Sequence, residues 1–133
     1  MILVLCVDDE MGMAFNGRRQ SRDRAVYQDI VEMADGKTIR MSERSLKLFE
    51  ELDGVFCAGL RASDEYELCF VEFEPAEKLA EHAEKVILYR WNRRYPADLY
   101  CFIPLENWTQ IETLEFPGNS HELITREVYV NEQ

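Results

Sequence analysis

The chain is short of histidine, proline and glycine, with two, four and six in 133 residues. Two histidines, His82 and His121, cannot build a multi-histidine metal centre, and no pair of residues has zinc-ligand spacing. There is no G-x-G-x-x-G, G-K-[ST] or G-x-S-x-G sequence, which excludes the usual glycine phosphate loops and the nucleophile elbow. Cys6, Cys57, Cys69 and Cys101 are widely spaced without a C-x-x-C pair, and three lie in apolar runs. They read as buried thiols of a reduced compartment, so a cytoplasmic protein is expected. The apolar start, Ile2 to Val7, is too short for a membrane span and lacks the flanks of a signal peptide. Basic residues are outnumbered, 15 against 26 acidic, for a formal net charge of −11. That excess disfavours general nucleic-acid or anionic-membrane binding. A small anion held in one local basic pocket remains compatible.

Against this background the basic residues that do occur are clustered. Arg18, Arg19, Arg22 and Arg24 fall within seven positions, just after a strand-like run ending in Asp8-Asp9. Ile2 to Val7 is continuously apolar, the pattern of a strand covered on both faces. A glycine-containing loop, Glu10 to Gln20, is expected next. Ser21 then reads as the N-cap of a helix running to Asp35-Gly36, with Asp23 in its first turn. Short strands follow at Lys37 to Met41 and Val55 to Leu60. Between them Ser42 caps a second helix carrying Leu46, Phe49 and Leu52.

Tyr66 to Phe73 and Val86 to Trp91 read as strands, and Leu99 to Ile103 as a shorter one. Pro75 opens a third helix with Ala76, Leu79, Ala80 and Ala83 on its buried side and His82 on its polar side. Trp108 to Phe116 and Glu122 to Val130 form a hairpin across Pro117-Gly118-Asn119-Ser120. The pattern predicts one α/β domain over residues 1–133. It has three layers: a mixed sheet, helices on both faces, and a C-terminal antiparallel hairpin.

In such sheets ligands collect where strands end and helices begin. The candidate ligand-binding set is therefore Asp8, Asp9, Asn16, Arg18, Arg19, Ser21 and Arg22. Arg93 and Arg94, after another strand, and His121 and Arg126, near the hairpin turn, join it. Arginine forks suit phosphate or carboxylate, and the helix start at Ser21 adds free N–H groups. Asp8 and Asp9 point to opposite sides of an extended chain and make a poor metal pair. Ser120 and His121, adjacent in the chain, make a poor nucleophile and base. The set predicts a small anionic ligand, phosphate- or nucleotide-containing, with no metal and no cofactor.

Two other readings stay open. One is an enzyme acting on a phosphorylated or carboxylated substrate, with His121 or Asp8 as acid/base. The other is an interaction module whose arginines pair with an acidic partner or a second copy in a homo-oligomer.

Two resemblances accompany these readings. Cys6-Val7-Asp8-Asp9, Arg18-Arg19-Gln20-Ser21-Arg22-Asp23, Asn92 to Asp98 and Phe116 to Glu122 together resemble small proteins of unknown role from Firmicutes related to Clostridia. Some of those carry the name ribonuclease Z. Ribonuclease Z enzymes hold two zinc ions through H-x-H-x-D-H and further histidines, which this chain lacks, so that activity does not carry over. The opening strand, loop and helix, followed by Asp35-Gly36-Lys37-Thr38-Ile39-Arg40-Met41-Ser42-Glu43-Arg44-Ser45-Leu46, is similar to the first third of dihydrofolate reductases. That likeness implies a related architecture. It also argues against reductase activity. The family's glycine and arginine after Met41 are Ser42 and Glu43 here, its helix carboxylate falls near Val26, and its later double glycine is missing between Tyr89 and Tyr95.

Overall fold

The computed structural model describes residues 1–62 and 67–131. Strand β1 (Ile2–Val7) leads into a hairpin, β2 (Gly12–Phe15) and β3 (Arg18–Arg19), and then into helix α1 (Arg24–Ala34). Strand β4 (Thr38–Met41) is followed by α2 (Glu43–Leu46), which tightens into a 3₁₀ turn over Lys47–Phe49. Next come β5 (Val55–Ala58), β6 (Leu68–Val71), the single turn α3 (Glu77–Ala80) and β7 (Lys85–Arg90). The chain closes with β8 (Leu99–Tyr100), β9 (Thr109–Phe116) and β10 (Ile124–Val130).

Seven strands form one mixed sheet in the order β5-β4-β6-β1-β7-β10-β9. β1 lies between two parallel neighbours, β6 and β7, while β10 runs antiparallel to both β7 and β9. Burial on both faces explains the unbroken apolar run of β1. Leu3, Leu5 and Val7 face α3 and the segment around Cys101 and Ile103. Val4 faces α1 through Val26, Tyr27 and Ile30, with Phe49 of the 3₁₀ turn in the same cluster. Phe49 is fully buried, its ring tilted against Tyr27 and Phe56 and edge-on to Phe70. The expected α/β architecture, with helices on both faces and a terminal hairpin, is the one observed.

Several local expectations are corrected. The Glu10 to Gln20 loop contains β2 and β3, which join β8 in a second, three-stranded sheet. Asn16 and Gly17 at its tip both have positive φ, +52° and +69°, the paired left-handed geometry of a tight hairpin turn. The N-cap of α1 is Asp23, not Ser21; its side chain accepts from the Ala25 N–H. The helix stops where expected, with Asp35 and Gly36 at φ +48° and +85°. The third helix is only one turn, although Ala76, Ala80 and Ala83 are buried as its pattern required. Tyr66, the expected start of β6, lies outside the described residues.

Candidate functional site

The carboxyl ends of β1, β6 and β7 lie side by side, so Asp8, Glu72 and Trp91 emerge at one sheet edge. Chain segments arriving there meet in two neighbouring arrangements. The first is an open cleft of about 540 Å³ between the start of α1 and the α2–3₁₀ segment. Five basic residues line it, Arg19, Arg22, Arg24, Arg44 and Lys47, against the acidic residues Asp23, Glu50 and Glu51. Tyr27 and Leu48 contribute apolar surface.

Not every cation there is available. The Arg19 guanidinium donates twice to Glu72, from Nε and from Nη2 at 2.7 Å, and the Ser45 hydroxyl donates to the same carboxylate at 2.7 Å. Arg44 lies over the Phe73 ring at 3.7 Å and donates to the Gly17 carbonyl. Arg24 stands 3.8 Å from Glu51, both well exposed, a contact of little energetic consequence. The side chains of Arg22 and Lys47 have no hydrogen-bond or ion-pair partner among the described residues. Beneath them the Tyr27 hydroxyl is buried without a hydrogen-bond partner. Burial, then the neighbouring Cys6 and Glu72, push its ionisation far above the ordinary tyrosine range.

The second arrangement is buried. His121 is only 5% exposed, stacked on Trp91 with ring centroids 4.8 Å apart. Its Nδ1 lies 3.0 Å from Asp23 Oδ2. Its Nε2 lies 3.0 Å from both the Ser21 and Tyr95 hydroxyls. Asp23 also accepts from the backbone N–H groups of Ala25, Asn119, Ser120 and His121. Burial opposes its charge, but the Asn119 N–H, the His121 ring and the Ser120 and Ala25 N–H groups outweigh it and hold the carboxyl at about 2. An ionised carboxylate only accepts. In the neutral imidazole the proton therefore sits on Nδ1, and Nε2 presents its lone pair to the hydroxyls.

Because the folded pKa of Asp23 lies below its unfolded value near 4, its contribution is complete above about pH 4 and is lost as pH falls toward 2. The loss is expected to reach about 2 kcal/mol. Urea unfolding at stepwise lower pH measures it. An unchanged midpoint for wild-type protein relative to Asp23→Asn across that window counts against the assignment.

The other expected site residues have different fates. Asp8 is 1% exposed and accepts from the N–H groups of Glu10, Gly12 and Tyr95 and from the Gln20 amide. It organises three loop segments. Asp9, Arg93 and Arg94 are exposed and do not line the cleft; Arg94 pairs with Glu10. Asn16 and Arg18 line a separate depression with Tyr95. Arg126 is withdrawn from the site altogether. It is 9% exposed on β10, bound to Asp29 and Glu112. Burial works against its charge, but these carboxylates raise its pKa. His121, placed by the sequence near the hairpin turn, is the buried centre of the second arrangement.

Sequence reasoning missed Arg44, Lys47, Tyr27 and Glu72. A signal existed for the first two: Arg44 and Lys47 are three apart, hence on one side of a helical segment. Among the described residues no group of three or more His, Cys, Asp or Glu is placed to hold a metal ion. No helix is long and apolar enough to cross a membrane.

Comparison with solved structures places the architecture. Dihydrofolate reductase from Enterococcus faecalis, solved with NADP(H) and RAB-propyl, superposes with a TM-score of 0.70 over 99% of this chain and 96% of that one. The architecture is dihydrofolate-reductase-like. Sequence identity across the superposition is 9%, so the likeness concerns the fold alone. No protein-family model and no curated protein matches the chain.

Proposed function

We propose that the chain binds a small anionic ligand, bearing a phosphate or carboxylate, in the cleft between α1 and the α2–3₁₀ segment. One observation carries this reading. Cations from two distant stretches, 19–24 and 44–47, converge on one concavity in a chain of net charge −11. Arg22 and Lys47 are the anchors, because theirs are the side chains among the five that have no partner among the described residues. Leu48 and Leu52 offer an apolar wall to the body of the ligand. The volume suits a mononucleotide- or sugar-phosphate-sized molecule.

A phosphorylated dinucleotide such as the reductase's NADP(H) is a poor fit. The turn after β4 carries Ser42 and Glu43, and the depression beside it holds Glu43 and Glu74 with no basic residue. Two carboxylates there repel a phosphate.

Thermal-shift measurements with millimolar AMP, glucose 6-phosphate and inorganic phosphate test the reading. A ligand at ten times its Kd stabilises the fold by about 1.4 kcal/mol, a rise of roughly 5 °C in Tm. The rise should fall away in the Arg22→Ala, Lys47→Ala double variant. No shift with any of the three, or an undiminished shift in the double variant, refutes the assignment.

A further inference from the structure

Ser21, His121 and Asp23 form a hydroxyl–imidazole–carboxylate relay, and we propose that it makes Ser21 a nucleophile toward small carboxylic esters. The links run in the order acyl transfer requires. Ser21 Oγ lies 3.0 Å from His121 Nε2, and His121 Nδ1 lies 3.0 Å from Asp23 Oδ2. A base oriented by a third group is what activates a serine hydroxyl, wherever the residues fall in the chain. Here Ser21 and Asp23, two residues apart on one extended connection, grip opposite edges of a single ring.

Three features hold the ring in that role. Stacking on Trp91 fixes its plane. The Asp23 carboxylate fixes its tautomer, and is itself fixed by four backbone N–H groups. The Tyr95 hydroxyl lies 3.0 Å from Nε2 and 3.3 Å from Ser21 Oγ; when its one proton is donated to Oγ, the Ser21 proton is directed at Nε2. The residues differ sharply in access. Asp23 and His121 are buried, whereas Ser21 is partly exposed. Gln20, its chain neighbour, and Tyr95, its hydrogen-bond partner, line an open depression of about 300 Å³ with Phe15, Asn16 and Arg18, and the proposal places the acyl group there.

In the proposed reaction the Ser21 proton passes to Nε2 as Oγ bonds to the acyl carbon. The ester C–O bond then breaks, and the departing alkoxide takes the proton from Nε2. Water, deprotonated by the same nitrogen, attacks the acyl-serine; the acyl C–Oγ bond breaks, Oγ takes the proton from Nε2, and the carboxylic acid leaves with Ser21 restored. The cleft cations take no part.

Folded protein is treated with a fluorophosphonate, whose phosphorus accepts Oγ as fluoride leaves, and the adduct is located by peptide mass spectrometry. Hydrolysis of p-nitrophenyl acetate is followed in parallel. The expected result is a single adduct on Ser21, absent from urea-unfolded protein. Ester hydrolysis should fall by about 10²-fold or more in both Ser21→Ala and His121→Gln. An unlabelled Ser21 in the folded wild-type protein overturns the proposal, and that measurement needs no variant to fold. Labelling or hydrolysis that persists in His121→Gln overturns it as well.

Discussion

Asp23→Ala is expected to lower the stability of the protein by about 4 kcal/mol, roughly 15 °C in Tm. Several losses coincide at this one carboxylate. The cap of α1 disappears, which alone costs about 1 kcal/mol. The N–H groups of Asn119, Ser120 and His121 lose their acceptor in a buried turn, and the His121 ring loses its anchor. Buried donors left without partners cost more than the hydrogen bonds contributed. Asp23→Asn, which keeps one acceptor oxygen, should lose less. Urea denaturation gives the stability, and amide exchange shows where it goes: protection at residues 119–121 should vanish before that of β1. A loss below about 1 kcal/mol would reduce Asp23 to an ordinary cap.

The second large effect lies on the α1 face of the sheet. Arg126→Leu should cost about 3 kcal/mol, near 10 °C in Tm, without altering anion binding. Arg126 donates to both oxygens of Asp29, at 2.9 and 2.8 Å, and to Glu112 on β9. The Tyr89 hydroxyl donates to Asp29 as well, at 2.6 Å. One guanidinium thus ties β10 to α1 and to the outermost strand of the sheet. Its removal leaves Asp29 partly buried with only a tyrosine for company. A double-mutant cycle with Asp29→Asn should show strong coupling between the two positions. A ligand-induced thermal shift that weakens in Arg126→Leu would return this residue to the binding site.

Much of the frame was legible in the sequence, and the reasons are local. β1 announces itself by an unbroken apolar run, α1 by Val26 and Ile30 at helical spacing and its Asp35-Gly36 stop, and the last two strands by their β-branched content. β2 and β3 were not legible because strands of four and two residues carry too little periodicity; only Asn16-Gly17 marked the turn. The cap shifted from Ser21 to Asp23 because both residue types suit that position and only tertiary partners decide between them. The site was half visible. The arginine cluster pointed to the sheet edge where the cleft lies, but Arg19 is paired with Glu72, a residue 53 positions away. His121 was misjudged because a Pro-Gly-Asn-Ser turn reads as solvated, whereas Asp23 draws this one inward. The burial of Arg126 was legible too. Ile124, Arg126 and Val128 alternate along β10, so the pattern itself placed the arginine on the buried face.

The Asp23 carboxylate joins positions nearly a hundred residues apart, and this has a kinetic meaning. During synthesis β1 emerges before its neighbour β7, which is not complete until residue 90, and the turn at 119–121 comes later still. Helix α1 must therefore wait, with its capping carboxylate unsatisfied on one side, until residues 119–121 have been made. Contacts of such separation make folding slow compared with helical proteins of similar size. A nascent chain arrested before residue 119 should lack the His121 relay however well its first strands have paired. In this protein the Asp23–His121 contact is a late product of folding, and its appearance reports that the residues from β1 to the hairpin turn have come together.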